Sequence, residues 1–232
     1  MNLWPAWIST GGPFLKVKGA ANMKKYDPAA ANFDAIPLEM KAVKRWVCWT
    51  ADKTPINPHT LHGASSTNSS TWGTFDEAAA AMGKQASYRG ADGQTTAVVL
   101  GVGFVLGGGW AGIDLDGGQD HGGGVVNQTA LSDAEALGTY AEYSKSGEGY
   151  HFIGKYTGGK LDGTANKAEG VEIYTGAHYF AMTGLVYRGG PVADISAGLP
   201  GLHEKYIGGP RREAQQRAAS SSTGAGITTG SG

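Results

Sequence analysis

Short runs of β-branched and aromatic residues, separated by glycine-rich turns, dominate the middle of the chain. Apolar runs of this length, bounded by Gly, Pro, Asn or Asp, predict β-strands. Two runs are especially clear: RWVCWT is aromatic and β-branched, and WAGIDLD ends with two acids among apolar residues. The pattern predicts seven strands, at residues 45–50, 97–106, 110–116, 139–144, 149–156, 170–175 and 178–187.

Helical signals are fewer and lie between the strands. Residues 71–85 carry an alanine-rich body behind a threonine cap candidate, and residues 131–140 begin with a serine cap followed by acids. Ser and Thr satisfy the first amides of a helix, and acids there are favoured by the helix dipole. Strands grouped in hairpins with helices inserted predict an α+β fold, a mixed but largely antiparallel sheet with flanking helices.

The two ends of the chain differ in composition from its middle. Residues 1–33 are polar, alanine-rich and interrupted by prolines, which predicts a flexible N-terminal arm. Residues 205–232 turn into a Ser/Thr/Gly-rich stretch, which predicts a tail or linker because this composition buries too little apolar surface to fold alone. The folded domain is therefore expected at residues 34–204.

Charge and cysteine content exclude several classes of protein. The net charge is −1, so nucleic-acid binding would need a local basic patch rather than a global field. The single Cys48 excludes an internal disulfide framework and a cysteine-rich zinc site, and it fits a reducing, cytoplasmic setting. No apolar run approaches the roughly 18 residues of a transmembrane helix, so no membrane contact is expected.

Asp114 and Asp116 stand in the stretch IDLD, just ahead of a glycine run. An EF-hand calcium loop starting at Asp114 fails, because its three diagnostic later positions hold Gly118, Gln119 and Val125. An Asp-Gly turn accounts for Asp116 but leaves Asp114 unexplained. Residues i and i+2 of a strand share a face, so the two carboxylates repel unless a cation lies between them. The pair is therefore a candidate ligand set for two divalent metals.

Two further motifs offer partners for such a site. Residues 144–151 (SKSGEGYH) join a Ser-Gly-Glu-Gly turn to His151, and the amides and hydroxyl of such a turn can face an anion. The alternative is an ordinary hairpin with a half-buried histidine. Glu172 lies in the predicted strand GVEIYT, where a carboxylate needs a partner such as a shared metal. The alternative for Glu172 is an outward-facing strand position.

The densest basic group of the chain lies around the first predicted strand. It comprises Lys41, Lys44, Arg45 and Lys53, with Trp46, Trp49 and Trp72 nearby in sequence. Basic residues mixed with aromatic ones can hold single-stranded nucleic acid by charge and stacking. The alternative is that the tryptophans are core and the lysines a solvated face. The candidate DNA-binding residues are Arg45, Lys53 and Asn57.

Several of these motifs occur together in one order: WVCW, KTPINP, ASST with TW, GVGFVL, GIDLD, YAEYSKSGEGYH, EIY and FAMTG. In that order and spacing, over about residues 42–187, the chain resembles phage and plasmid primase–polymerases of the archaeo-eukaryotic primase superfamily. The resemblance implies a primase-like fold and a nucleotidyltransferase, a DNA primase or polymerase acting in phage or plasmid replication. It also implies a DNA template, (d)NTPs, Mg²⁺ or Mn²⁺, and a replicative helicase, often fused downstream in this family.

The same resemblance implies roles for individual residues. Asp114, Asp116 and Glu172 would be metal ligands and, with His151, the catalytic set. The implied nucleotide-binding residues are Ser144, Ser146, Gly147, Gly149, His151 and His178. The last of these departs from the family, which often has a basic residue, typically arginine, at that place; histidine is a weaker and pH-dependent cation.

Two other functions remain open on the sequence. A metal-dependent nuclease could use the same carboxylates to hydrolyse phosphodiesters, although it would not need the nucleotide turn. In a non-catalytic DNA-binding module that initiates replication, Asp114, Asp116 and Glu172 would have no catalytic role.

Overall fold

The computed structural model describes residue 27 and residues 31–90, 92–117, 126–161, 166–168 and 170–223. Its helices are α1 (Leu38–Lys41), α2 (Phe75–Ala81), α3 (Gln128–Ala136), α4 (Leu199–His203) and α5 (Gly209–Thr223), with a π-helical segment, Glu204–Gly208, between the last two. Its strands are β1 (Trp46–Trp49), β2 (Pro55–Ile56), β3 (Gln85–Gly90), β4 (Gly93–Val98), β5 (Gly101–Val105), β6 (Trp110–Leu115), β7 (Tyr140–Tyr143), β8 (Tyr150–Lys155), β9 (Lys167–Ala168), β10 (Val171–Tyr174), β11 (Tyr179–Ala181) and β12 (Val186–Arg188). None of these described helices is both long and apolar enough to cross a membrane.

The described strands form two sheets and a separate hairpin. One sheet has six strands in the order β12-β7-β8-β6-β10-β9, the other has four in the order β11-β5-β1-β2, and β3 pairs with β4. All pairs between these strands are antiparallel. Helices combined with antiparallel sheet agree with the α+β prediction, but two sheets replace the single mixed sheet that the sequence predicts.

The six-stranded sheet is covered on both sides. The odd-numbered residues of β6 pack with α3 and α4; they are Ala111, Ile113 and Leu115. The even-numbered residues point the other way, where Trp110 packs edge-on against Phe104 of the four-stranded sheet. We call the first side the helix face. We call the second side the cleft face, because its side chains point into the space between the two sheets.

Glycines allow the two sheets, and neighbouring strands within one sheet, to come close together. A Cβ atom on Gly112 of β6 would lie 2.3 Å from the ring of Phe180 in β11. One on Gly103 of β5 would lie 2.6 Å from the ring of Tyr179. Real carbon atoms do not pack at such distances, so neither position accepts a side chain in this arrangement. The glycines inside GVGFV and WAGID are therefore requirements of sheet packing.

Residues 178–187, predicted as one strand, are divided in the structure between the two sheets as β11 and β12. Between them Gly184 has a φ of 65°, a left-handed conformation that interrupts an extended strand. The amides of Thr183 and Gly184 donate to the carboxylate of Glu142 in β7, at 2.8 and 3.1 Å. The chain passes from one sheet to the other at this point, and the buried carboxylate of Glu142 binds its backbone there.

The predicted helices exist with different ends. Thr74 and Glu77 form a capping box at the start of α2. The helix ends before Met82, and the chain continues into the β3–β4 hairpin, which the sequence pattern does not predict. Asn127 caps α3 by accepting from the amides of Thr129 and Ala130, so this helix starts before the predicted Leu131. In both cases a local cap decides where the helix begins.

The predicted domain boundary at residue 204 falls within continuous helical structure. Tyr206 packs against the core of the helix face, and Ile207 is buried in it. Both Lys205 and Tyr206 bind Asp133 of α3, at 2.6 and 2.7 Å. The packed unit therefore extends to about residue 208, because two apolar residues precede the polar stretch. Residues 224–232 of the predicted tail, and residues 1–26 and 28–30 of the predicted arm, lie outside the described residues.

Candidate active site

A row of ionisable side chains crosses the cleft face of the six-stranded sheet. Glu142 of β7 pairs in register with His151 of β8, His151 with Asp114 of β6, and Asp114 with Glu172 of β10. Residues directly opposite one another in antiparallel strands point to the same face, with side chains about 5 Å apart. Sheet register thus brings together Asp114, His151 and Glu172, three of the catalytic residues expected from the sequence.

Asp116 follows Asp114 by two residues and its amide donates to the carbonyl of Gly170, at 2.8 Å. Burial raises the pKa of Asp114, and the negative charges of Glu172 and Asp116 add to that rise, against the opposing charge of His151. The two neighbouring carboxylates therefore leave an excess of negative charge around Asp114. Oxygen donors of this kind suit Mg²⁺ or Mn²⁺.

The carboxylates are not already gathered into a metal site. Within the described residues, no three His, Cys, Asp or Glu side chains stand together as a ligand set. The donor chemistry and the excess charge at Asp114, Asp116 and Glu172 fit a divalent cation, whereas the present side-chain positions do not yet surround one. An ion binding here would have to draw these side chains together.

His151 lies between two carboxylates and against an aromatic ring. Its Nε2 is 3.7 Å from Asp114 Oδ1, its Nδ1 is 3.8 Å from Glu142 Oε1, and its ring stacks on Phe180 with centroids 4.5 Å apart. Burial lowers the pKa of His151, but the carboxylates of Asp114 and Glu142 outweigh it and raise this pKa above its ordinary value. The geometry therefore favours a protonated imidazole beside Asp114.

Glu142 is the member of the row that the sequence reading did not select. Its carboxylate is fully buried and accepts hydrogen bonds from Tyr140 Oη and from the amides of Thr183 and Gly184. A signal was present in the sequence: Glu142 shares its strand face with Ser144, and the hairpin through residues 144–149 sets it opposite His151. The register of that hairpin is what places Glu142 opposite His151.

Glu172 is held by neighbours on its own and the next strand. Tyr174 Oη donates to its Oε2, and Lys167 Nζ lies 3.5 Å from its Oε1. The ring of Tyr174 stacks on His178, with centroids 3.7 Å apart and planes 4° from parallel. Burial lowers the pKa of His178 to about 4, so this histidine is neutral at pH 7. His178 therefore brings a stacking surface rather than a charge to the site.

The turn at residues 144–149 differs from the anion-binding turn that the sequence predicts. The amide of Gly147 donates to Ser144 O at 2.9 Å, that of Glu148 to Ser146 Oγ at 3.2 Å, and that of Gly149 to Ser144 Oγ at 3.2 Å. The three amides expected to face an anion are thus engaged within the turn, because its two serines supply acceptors. The two serine hydroxyls lie 3.0 Å apart.

Lys53 lies in the turn between β1 and β2, close to the row. Its backbone has a φ of 60°, and its carbonyl accepts a hydrogen bond from Tyr179 Oη of β11. Its charge lowers the pKa of Asp114, His151 and His178, which places the ammonium group near all three. Lys145 Nζ donates to Ala51 O at 2.7 Å and so joins this turn to the turn at 144–149.

Arg45 and Asn57, the other two DNA-binding candidates, have local structural contacts. Arg45 Nη1 donates to the carbonyl of Val105 at 3.1 Å, and its guanidinium lies 5.1 Å from the ring of Trp72. Asn57 is buried, and its Oδ1 accepts from the amides of His59 and Thr60, which closes a turn. Both side chains therefore shape loops of the four-stranded sheet.

Comparison with known proteins shows similarity to a phage protein. No protein-family model matches the chain. The chain is similar to the DNA Primase-polymerase of Nitratiruptor phage NrS-1: the two are 31% identical over 172 residues, which cover 66% of this chain and 21% of the phage protein. The chain thus spans about a fifth of the length of that distant homologue. The name DNA primase-polymerase describes the phage protein as a whole.

Proposed function

We propose that this chain carries a primase/polymerase domain of the archaeo-eukaryotic primase type, which transfers nucleotides from (d)NTPs onto a 3′-hydroxyl on a DNA template. The observation that carries the proposal is the register that sets His151, Asp114 and Glu172 side by side on the cleft face. The similarity to a phage DNA primase-polymerase supports it. Phage or plasmid replication in the cytoplasm of a bacterial cell is the proposed setting.

Asp114, Asp116 and Glu172 are the proposed ligands of Mg²⁺ or Mn²⁺, since they supply oxygen donors with excess negative charge. Bound divalent ions would lower the pKa of the attacking hydroxyl and neutralise charge on the triphosphate. In the free protein these acids repel one another, and a cation relieves that repulsion.

His151 is the proposed phosphate donor. It lies beside Asp114, and its raised pKa favours the protonated form, which donates strong hydrogen bonds to phosphate oxygens. Lys53 adds a second cation from the opposite side of the cleft. The hydroxyls of Ser144 and Ser146 remain candidates for nucleotide contacts, whereas the amides of residues 147–149 already have acceptors.

The proposed partners are a DNA template and (d)NTPs. Lys53 is the DNA-binding candidate that lies nearest to the row, and its charge could serve a primer strand or a triphosphate. By the family resemblance we also expect a replicative helicase to act with this domain.

One assay separates the proposed function from its two rivals. Labelled single-stranded DNA, with and without an annealed primer, is incubated with the protein in Mg²⁺ or Mn²⁺, with dNTPs, with NTPs or with neither. A primase/polymerase gives products longer than the primer, or new short chains, only when nucleotides are present. Shortening of the labelled DNA without nucleotides would instead show a nuclease. A gel shift with no product in either metal would show a non-catalytic DNA-binding module.

A further inference from the structure

Glu142 is buried more completely than any other charged residue in the row. It is 0% exposed, and an isolated buried carboxylate is costly unless hydrogen bonds satisfy its oxygens. Oε1 accepts from the amide of Thr183, and Oε2 accepts from the amide of Gly184 and from Tyr140 Oη. These donors come from the crossing between β11 and β12 and from β7 itself. They fix the carboxylate in one position.

His151 presents the complementary feature. The residue is 7% exposed, and its Nδ1 is a buried polar atom with no hydrogen-bond partner among the described residues. The carboxylate of Glu142 lies 3.8 Å from that atom, a few tenths of an ångström beyond hydrogen-bond distance. On its flat side the ring stacks against Phe180. A small adjustment of the side-chain torsions of His151 would therefore complete an Nδ1–H to Oε1 hydrogen bond.

We propose that Glu142 is a positioning residue, which holds His151 by its Nδ1 and so aims Nε2 at the carboxylate site beside Asp114. The hydrogen bond on one ring nitrogen sets what the other nitrogen can do, as is general for functional histidines. Glu142 does not touch the site itself, because His151 stands between them in the row. The inference rests on the proposed function for its kinetic consequence but not for the contact.

A purely structural role for Glu142 makes a different prediction. The carboxylate would then serve only to hold the amides of Thr183 and Gly184, and His151 would keep its position without it. Tyr140→Phe is the matched control, because it removes one buried donor to Glu142 and leaves the carboxylate in place. Glu142→Gln removes the negative charge that faces His151 and leaves one carbonyl oxygen where Thr183 and Gly184 use two carboxylate oxygens.

The direct test is NMR of the ¹⁵N-histidine-labelled 232-residue chain, with the His151 ring identified by its contacts to the Phe180 ring. We expect a slowly exchanging, downfield proton on His151 Nδ1 in the wild type and in Tyr140→Phe, and its upfield shift or loss in Glu142→Gln, whose neutral amide is a weaker acceptor. Absence of that proton in the wild type overturns the proposal even if Glu142→Gln does not fold. An unchanged chemical shift and exchange rate of that proton in folded Glu142→Gln overturns it as well.

A kinetic arm adds a second readout. Misplacement of a reacting group by about 1 Å can cost roughly 100-fold in rate. We therefore expect Glu142→Gln to lower kcat for nucleotide addition about 100-fold, with KM for the primed template changed less than threefold, and Tyr140→Phe to stay near the wild type. Equal losses in both variants would point to a structural role and overturn the proposal. A wild type inactive with every substrate refutes the proposed function, and the NMR arm then decides this inference alone.

Discussion

The two faces of the six-stranded sheet are built from the same strands, but one face carries apolar packing and the other carries the row of ionisable side chains. On the helix face, β6 and β8 bury Ile113, Leu115 and Phe152 against helices, with no ionisable group among these strand positions. On the cleft face the same strands present Asp114 and His151. Because side chains alternate along a strand, a single segment such as GIDLD can serve packing with every second residue and chemistry with the others.

The apolar side chains of the helix face and the buried Asp114 of the cleft face affect stability in opposite directions. Each large apolar side chain buried on the helix face stabilises the fold by about 1.5–3 kcal/mol. On the cleft face the raised pKa of Asp114 reports that its ionised form is unfavourable in the folded protein, mainly because it is buried. Stability is therefore expected to come from buried apolar side chains such as those of the helix face, and not from Asp114 in the row of acids on the cleft face.

The largest expected effect is on the helix face. Phe152→Ala removes a fully buried ring, and such changes cost about 3–5 kcal/mol because a cavity remains. Urea denaturation should show this loss in the free energy of unfolding, while nucleotide addition per folded molecule stays within about threefold of the wild type. A loss of stability below about 1 kcal/mol would show that the helix face does not carry the fold.

A smaller effect is expected from metal binding on the cleft face. A ligand at about ten times its Kd stabilises the folded state by about 1.4 kcal/mol, or roughly 3–5 °C in Tm for a chain of this size. Mn²⁺ should raise the Tm of the wild type and of the control Asp133→Asn, whose carboxylate lies on α3. Glu172→Gln should abolish the shift without lowering the Tm in EDTA. Equal shifts in all three proteins would place the metal elsewhere.

The smallest effect concerns His178. Its pKa is about 4 in the fold against an ordinary 6.5, so the unfolded chain takes up a proton between these values and the folded chain does not. Stability should therefore fall as pH drops from about 6.5 towards 4. His178→Phe keeps a ring to stack on Tyr174 and should reduce that fall by about 1 kcal/mol between pH 6 and pH 5, measured by denaturation at each pH. An unchanged slope would mean that His178 is already protonated.

Much of the fold could be predicted from local pattern. The strands around Trp46, Trp110, His151 and Glu172 were predicted, because each is a short apolar run with clear ends. The division of 178–187 was not, since a glycine in the left-handed region and a buried carboxylate from another strand decide it. The β3–β4 hairpin was missed because its alternating polar residues resemble a loop.

The sequence predicts which residues the candidate site contains better than it predicts the contacts between them. Asp114, Asp116, His151 and Glu172 stand out as polar residues in apolar strands, whereas the role of Glu142 depends on sheet register, which local pattern does not specify. The 144–149 turn shows the same limit of local pattern for backbone contacts. A glycine-rich turn suggests free amides, but neighbouring hydroxyls supplied acceptors for them.

The most direct test of the cleft-face site is single-nucleotide addition to a primed template in Mn²⁺ by Asp114→Asn, with Asp133→Asn as the control. Loss of a group that holds a catalytic charge typically costs about 100- to 1,000-fold in rate. We predict a loss of that size in Asp114→Asn, a Tm equal to or above that of the wild type, and wild-type activity in Asp133→Asn. Retention of more than about a tenth of the wild-type rate by folded Asp114→Asn would contradict the assignment.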